Sequence, residues 1–386
     1  MNILYIGPND SEWAQANLPG SLAGAKWSRG LQTALAKLCN LTTLSHTYMY
    51  PWPKGGKLWV GYDKRYYPEG WKCVPVCYPA LRYVREWWWR FSYATKAMRI
   101  VHDCSIDVVI MYNCYEHWQL PVLRAIRKAK PSVLIIPIIL DGDDPRKDDW
   151  GWLRRAAKYT DGFVSLSWWV YENLPRHIPD KKVYHLDGGA EGWRGSRPTK
   201  HSKPVTLVHT GALDQWRGLD FMIGVVKTLT EKRKDTHFVF CGKSSEVALR
   251  RVFGDNPQVS LPGFVSEEEM ARICNGADVL LSVRDPNHPD NILNYPSKLP
   301  QYLSFGRPIV STRLESLSPD YAQVVNTPDD DSVEAYVRKI EEVISWPFDR
   351  CVAEYEKIKA WFNLHKRWDI LASDLVKWLE PLTTNR

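Results

Sequence analysis

The feature that most constrains this chain is an alternation. Short apolar runs of buried-strand type recur between longer stretches with helical spacing. In the first half these are NILYIG (Asn2–Gly7), DVVIMYN (Asp107–Asn113), SVLIIPIILD (Ser132–Asp141) and GFVSLS (Gly162–Ser167). SRGLQTALAKL (Ser28–Leu38) and LPVLRAIRKAK, residues 120–130, have helical spacing. Strands separated by helices imply a parallel sheet covered on both faces. The pattern lapses at GWRGSRPTKHSKP (Gly192–Pro204), rich in Gly, Pro, Ser and charge, which reads as a linker. It then resumes with VTLVHTG (Val205–Gly211), THFVFCG (Thr236–Gly242), ADVLLSV (Ala277–Val283) and RPIVST (Arg307–Thr312). Ser266 and Glu269 form a capping box opening one intervening helix, and Asn275-Gly276 closes it. Two doubly wound domains are therefore expected. Such sheets bind ligands outside the carboxyl ends of their strands.

A length of 386 residues accommodates two domains, with 44% hydrophobic and 25% charged residues for ordinary cores and surfaces. No apolar run approaches the roughly eighteen residues of a membrane span. The start, MNILYIGPND, lacks the basic and apolar regions of a signal peptide. Eight scattered cysteines without a CxxC argue against zinc or a disulfide framework, and reduced thiols fit a cytoplasmic location. Charge is uneven: residues 1–195 carry 26 Lys and Arg against 18 Asp and Glu, whereas residues 196–386 carry 25 against 26. Fourteen of the 19 tryptophans also lie in the first part. That part is suited to meet something anionic or flat.

NYPSKLPQYLSFGRPIV (Asn294–Val310) brackets a short helix, about Ser297 to Ser304, between Pro296 and Gly306. Its start offers N–H groups, the Ser297 hydroxyl and the Lys298 ammonium to a phosphate. Gln301 lies one turn further, about 5.4 Å along the axis, where a sugar hydroxyl pair would fall. A capped surface helix with a solvated lysine is the plain alternative.

NILNYPSKLPQYLSFGRPIVST resembles the nucleotide-sugar-binding segment of the retaining GT-B glycosyltransferases of family four. HTGALDQWRGLDFMI resembles their strand–Gly–Lys-Gly–helix element, with Arg217-Gly218 in the Lys-Gly place. FVFCG, VSLPGFVSEEEMARICNGADVLLSV and VYHLDGGAEGW resemble further elements in the family's order. The likeness is strongest over residues 130–315 and weakest over 40–105. It implies two Rossmann-like domains facing across a crevice: residues 1–195 for the acceptor, 205–360 for the donor, and a helix over 361–386 crossing back. It implies retaining transfer from a nucleoside-diphosphate sugar, a co-substrate, with neither cofactor nor metal. Arg217 and Lys298 would contact the diphosphate, helped by Ser297 and the backbone near Gly211. The family carboxylate that holds the ribose falls at Gln301, an amide without charge-assisted strength. The other family carboxylate falls on Leu293, leaving Asn291, Asn294 or Asp290 to cover its role.

Other candidates follow strand ends. His117 would touch the donor, or serve structurally, and Glu116 would cap the next helix. Asp141, Asp143 and Asp144 suit a general base or an orienting role for the acceptor hydroxyl, and equally suit turns. The resemblance implies that the long loop Gly7–Gly30 brings a glycine, Gly20 or Gly24, near the diphosphate and that Glu12, Trp13 or Arg29 faces the acceptor. In YPALRYVREWWWRFSYATKAMRI (Tyr78–Ile100), Leu81, Val84, Trp88, Phe91 and Met98 read as a core stripe, and one Trp, Trp87 or Trp89, should be exposed. This basic, aromatic stretch suits peripheral docking on an anionic inner-membrane face, stacking on bases or stacking on sugars. The acceptor implied is a glycan or lipid-linked saccharide; DNA with a hydroxymethylated base is the alternative. A nucleotide-sugar isomerase and a non-catalytic binder are the readings from other classes.

Overall fold

A computed structural model describes residues 1–113, 118–140, 150–199, 204–254, 256–285 and 288–384. Fourteen strands occur among them. They are β1 (Asn2–Ile6), β2 (Asn40–Ser45), β3 (Trp59–Val60), β4 (Lys72–Pro75), β5 (Tyr78–Pro79), β6 (Val108–Met111), β7 (Leu134–Ile139), β8 (Gly162–Ser165) and β9 (Lys182–His185), then β10 (Val205–Thr210), β11 (Thr236–Cys241), β12 (Val259–Gly263), β13 (Val279–Ser282) and β14 (Ile309–Ser311). The chain divides into two compact units. One comprises Met1–Gly189, Leu293–Tyr295 and Trp368–Arg386, the other Ala190–Ile292 and Pro296–Arg367.

The first unit is built on a seven-stranded parallel sheet, ordered β4-β2-β1-β6-β7-β8-β9, with β3 and β5 pairing separately as a two-stranded antiparallel ribbon. The second holds a five-stranded parallel sheet, ordered β12-β11-β10-β13-β14. Each is a doubly wound, Rossmann-like α/β arrangement. The strand order reverses beside β1, between β2 and β6, and beside β10, between β11 and β13. Those reversals are where such sheets open a ligand crevice. Fully apolar strands fit their double coverage: all four residues of β6 and all six of β7 are buried.

β2 and β4 carry no such signature. NLTTLS reads as a polar segment, yet Thr42, Thr43 and Ser45 are buried. The Thr43 hydroxyl donates to Gln32 Oε1 at 2.8 Å, which removes most of the cost of burying it.

Three local expectations change. The loop over Gly7–Gly30 is largely helical: Ser11 caps Glu12–Asn17 and Ser21 caps Leu22–Leu38, each hydroxyl accepting a backbone N–H. The C-terminal helix begins at Trp368, after a break that follows Phe348–His365. It packs in the first unit, where Trp368 meets Trp27 edge-on at 5.5 Å. A Cβ on Gly30 would lie 2.1 Å from Trp368 Nε1, so only glycine admits that approach. The core stripe proposed for Tyr78–Ile100 is displaced. In helix Val84–Asp103 the buried residues are Trp89, Tyr93, Ala97, Ile100 and Val101, and Trp88 packs half-buried against the same core, while Val84, Phe91 and, before the helix, Leu81 are exposed. Of the two tryptophans offered for exposure, Trp87 is 56% exposed and Trp89 is buried. A second apolar stripe, outward-facing, misleads a reading by periodicity alone.

Candidate functional site

In the second unit, the strand ends beside the β10 reversal gather a cationic cluster. The helix following Pro296 is only the turn Leu299–Leu303, with Lys298 at its cap. Tyr302, fully buried, fixes it: the Thr210 N–H donates to Tyr302 Oη at 2.7 Å, and that hydroxyl donates to Leu281 O at 3.4 Å. The turn is thereby tied to β10 and β13. A five-residue helix has little dipole, so anion affinity here falls on side chains.

Lys298 Nζ lies 3.0 Å from His209 Nε2. His209 is buried in β10, and its Nδ1 donates to Leu281 O at 3.0 Å, leaving Nε2 to accept from the lysine. Burial, then the adjacent Lys298 charge, push the imidazole well below its ordinary pKa, against the opposing carbonyl bond. Lys298 is itself held well below the usual lysine range, first by burial and then by Arg284 and Arg217. Gly211, at φ +94°, ends β10 beside it: a Cβ there would lie 3.8 Å from Lys298 Nζ.

Arg217 closes the short turn Gln215–Arg217, whose cap Asp214 accepts the Arg217 N–H at 3.2 Å and pairs with its guanidinium. Gly218, at φ +90°, then opens helix Leu219–Lys232. A Cβ on Gly218 would stand 3.0 Å from backbone atoms of Arg284 and Asp285, so this glycine lets the Arg217 turn close against the Arg284 loop. The Arg284 N–H donates to Thr312 Oγ1 at 3.0 Å. Asn291, buried, accepts from the Arg284 guanidinium at 3.4 Å and donates to Asp285 O.

Arg217, Lys298 and Gly211 are thus brought together with two residues that sequence reasoning did not place in the site. Arg284 opens the charged loop Arg284–Asn291, RDPNHPDN. His209 had one signal, a lone imidazole within the apolar run VTLVHTG. Ser297 is exposed beside Lys298. Gln301 is half-buried, with Nε2 3.8 Å from Met270 Sδ. Leu293 is buried among Ile139, Trp150 and Phe163 of the first unit's core, and Asn294 belongs to that unit as well.

In the first unit, Glu12, Trp13 and Arg29 line one open pocket of about 380 Å³ with Lys64, Arg65 and Tyr67. Arg29 donates to Glu12 at 3.0 Å. Trp13 stacks on Tyr66 at 6.0 Å and lies under the Arg65 guanidinium, 4.7 Å from its ring centre. At the β1 reversal, Gly24 backs against Tyr112, whose hydroxyl would be 2.6 Å from a Cβ, whereas Gly20 faces open space. Glu116, His117, Asp141, Asp143 and Asp144 lie outside the described residues, as does the side chain of Asp290. Among the described residues no group of three or more His, Cys, Asp or Glu is placed to hold a metal ion.

Residues 204–345 match the family model described as Glycosyl transferases group 1. Sucrose-phosphate synthase from Thermosynechococcus elongatus superposes with a TM-score of 0.69 at 9% identity, covering 100% of both chains. The UDP-forming α,α-trehalose-phosphate synthase from Burkholderia xenovorans, solved with glucose-6-phosphate, gives 0.67 at 10% identity, over 98% of this chain and all of that one. Anabaena HepE, solved with UDP, gives 0.63 at 11%, over 99% and 100%. No curated protein is similar enough in sequence to match. The cationic cluster thus falls inside the segment that matches this model, and the whole chain has the GT-B glycosyltransferase fold.

Proposed function

We propose that the chain moves a sugar from a nucleoside-diphosphate sugar to an acceptor hydroxyl, with retention at the anomeric carbon and without a metal or cofactor. The observation that carries this reading is the convergence of Lys298, Arg217 and Arg284 beside Gly211. As the anomeric carbon–oxygen bond breaks, negative charge grows on the departing diphosphate. Preorganised cations in a partly desolvated site stabilise that charge most when it is greatest. Arg217 and Arg284 supply planar forks suited to phosphate oxygens, and Lys298 a point charge. His209 carries no charge of its own and holds the lysine by accepting from it.

Gln301 takes the ribose hydroxyl pair through its amide, a weaker contact than a carboxylate would give. With Leu293 committed to a core, no carboxylate serves at that position, and the loop braced by Asn291 supports the Arg284 side instead. The pocket of Glu12, Trp13 and Arg29 receives the acceptor. An aromatic face flanked by paired guanidinium and carboxylate groups is suited to a saccharide, so a glycan or lipid-linked saccharide is the acceptor class.

The test is mass spectrometry of products from a panel of donors, UDP-sugars first, offered with oligosaccharides, a lipid-linked saccharide and hydroxymethylated DNA. The expected result is a saccharide product of donor-sugar mass increment, unaffected by chelator, with the donor's anomeric configuration by NMR. Donor conversion without any acceptor would indicate an isomerase and overturn the reading, as would absence of turnover with every donor.

A further inference from the structure

We propose that the first unit docks on an anionic phospholipid surface through an aromatic patch formed by the paired strands β3 and β5, the loop before β3 and the first turns of helix Val84–Asp103. The patch is contiguous. The Trp52 N–H donates to Ala80 O at 2.7 Å, and the Ala80 N–H donates to Leu58 O at 2.8 Å, which sets the loop against the strand that leads into Leu81 and Tyr83. Trp59 meets Trp88 edge-on at 5.5 Å, and Trp87 meets Phe91 at 4.5 Å on the outward face of the helix. Trp52, Leu58, Trp59, Trp87 and Phe91 are each at least 50% exposed, and Tyr83 is 81% exposed. Lone exposed apolar side chains are ordinary, but six large ones gathered at one place mark an interaction surface.

The charge around them selects the occupant. Residues 50–99 carry ten Lys and Arg against three Asp and Glu, and Lys54, Lys57, Arg82 and Arg90 at the patch are all exposed. Tryptophan and aliphatic groups surrounded by cations match the boundary between acyl chains and anionic headgroups. A nucleic-acid duplex would use the cations but gain nothing from Leu58, Leu81 and Val84. Among the described residues no helix is long and apolar enough to cross a membrane, so attachment would be peripheral. This proposal does not rest on the transfer reading, because binding is measured without turnover.

The test is flotation of the full chain with vesicles of phosphatidylcholine alone or mixed with phosphatidylglycerol. The chain should float with the mixed vesicles, detach as salt rises, and show tryptophan quenching by brominated lipid. The double variant Trp87→Ser/Phe91→Ser should lose roughly tenfold or more of its partitioning. Its thermal melt should stay unchanged, since both side chains face outward. No flotation at low salt, or equal flotation of the variant, would overturn the proposal. So would a change of oligomeric state in the variant without vesicle binding, or duplex DNA binding that the variant loses in place of lipid binding.

Discussion

Lys298 Nζ donates to His209 Nε2 at 3.0 Å across 89 residues of sequence. The imidazole can accept because its other nitrogen is committed to Leu281 O. The pair places a desolvated ammonium among guanidinium groups, an arrangement that costs stability until an anion arrives. In Lys298→Ala, transfer should fall by at least about tenfold, and Arg217→Ala and Arg284→Ala should do the same with the fold intact. Initial rates with circular dichroism check this, and wild-type turnover in all three would remove the donor-site assignment. His209→Ala should act through the lysine and weaken donor use less than Lys298→Ala does.

At pH values between the free-protein and the bound pKa of Lys298, binding of a nucleoside diphosphate should take up a proton. The Lys298 pKa is depressed in the free protein by burial, Arg284 and Arg217, and a bound diphosphate raises it. Affinity should therefore be constant below the free-protein value and fall as pH rises from it toward the bound value. Calorimetry in buffers of different ionisation enthalpy reads the uptake directly. The same heat of binding in every buffer within that pH range would contradict it.

Gly218→Ala should damage the site more than its size suggests. The residue holds φ +90°, and the added methyl would stand 3.0 Å from the Arg284 loop. A loss of about 1–3 kcal/mol is expected from the backbone alone. The informative outcome is a drop in kcat/KM for the donor in addition to a lower Tm. Gly20→Ala, where a Cβ meets nothing within 4 Å, is the control for backbone strain without a clash.

Asp10 gives a pH prediction for stability. Burial raises its carboxyl to about 6 in the folded chain. The folded state thus prefers the protonated acid. The stability this preference contributes is present below the unfolded value, about 4, and is lost as pH rises through 6. Asp10→Asn should raise Tm at pH 8 and change it little at pH 4. An equal shift at both values would show that the carboxyl's charge is not the cause.

Gln301→Glu should strengthen donor binding if the amide holds the ribose, since a carboxylate accepts with charge-assisted strength. Titration of the free nucleoside diphosphate against both proteins measures it. Unchanged affinity would place the ribose elsewhere.

Much of the fold was legible because parallel strands covered on both faces must be apolar almost throughout. β1, β6, β7, β8 and β10 therefore announce themselves. β2 does not, since its threonines are buried on the strength of partners such as Gln32, which the linear chain cannot display. Helix Val84–Asp103 misled for a related reason. Periodicity finds an apolar stripe but not the direction it faces, and this helix has one stripe in the core and another outward.

The sequence by itself determined the two doubly wound sheets, through the alternation of apolar strands with helices, and pointed to Lys298 at a short helix start; Arg217 and Gly211 were offered only by the family resemblance. Only the tertiary structure decided that His209 and Arg284 join them and that Leu293 is spent in a core. The reason is physical: β10 and β13 are 69 residues apart at their nearest ends but hydrogen-bonded neighbours in the sheet, so what meets at their ends depends on strand order. No local pattern encodes that order.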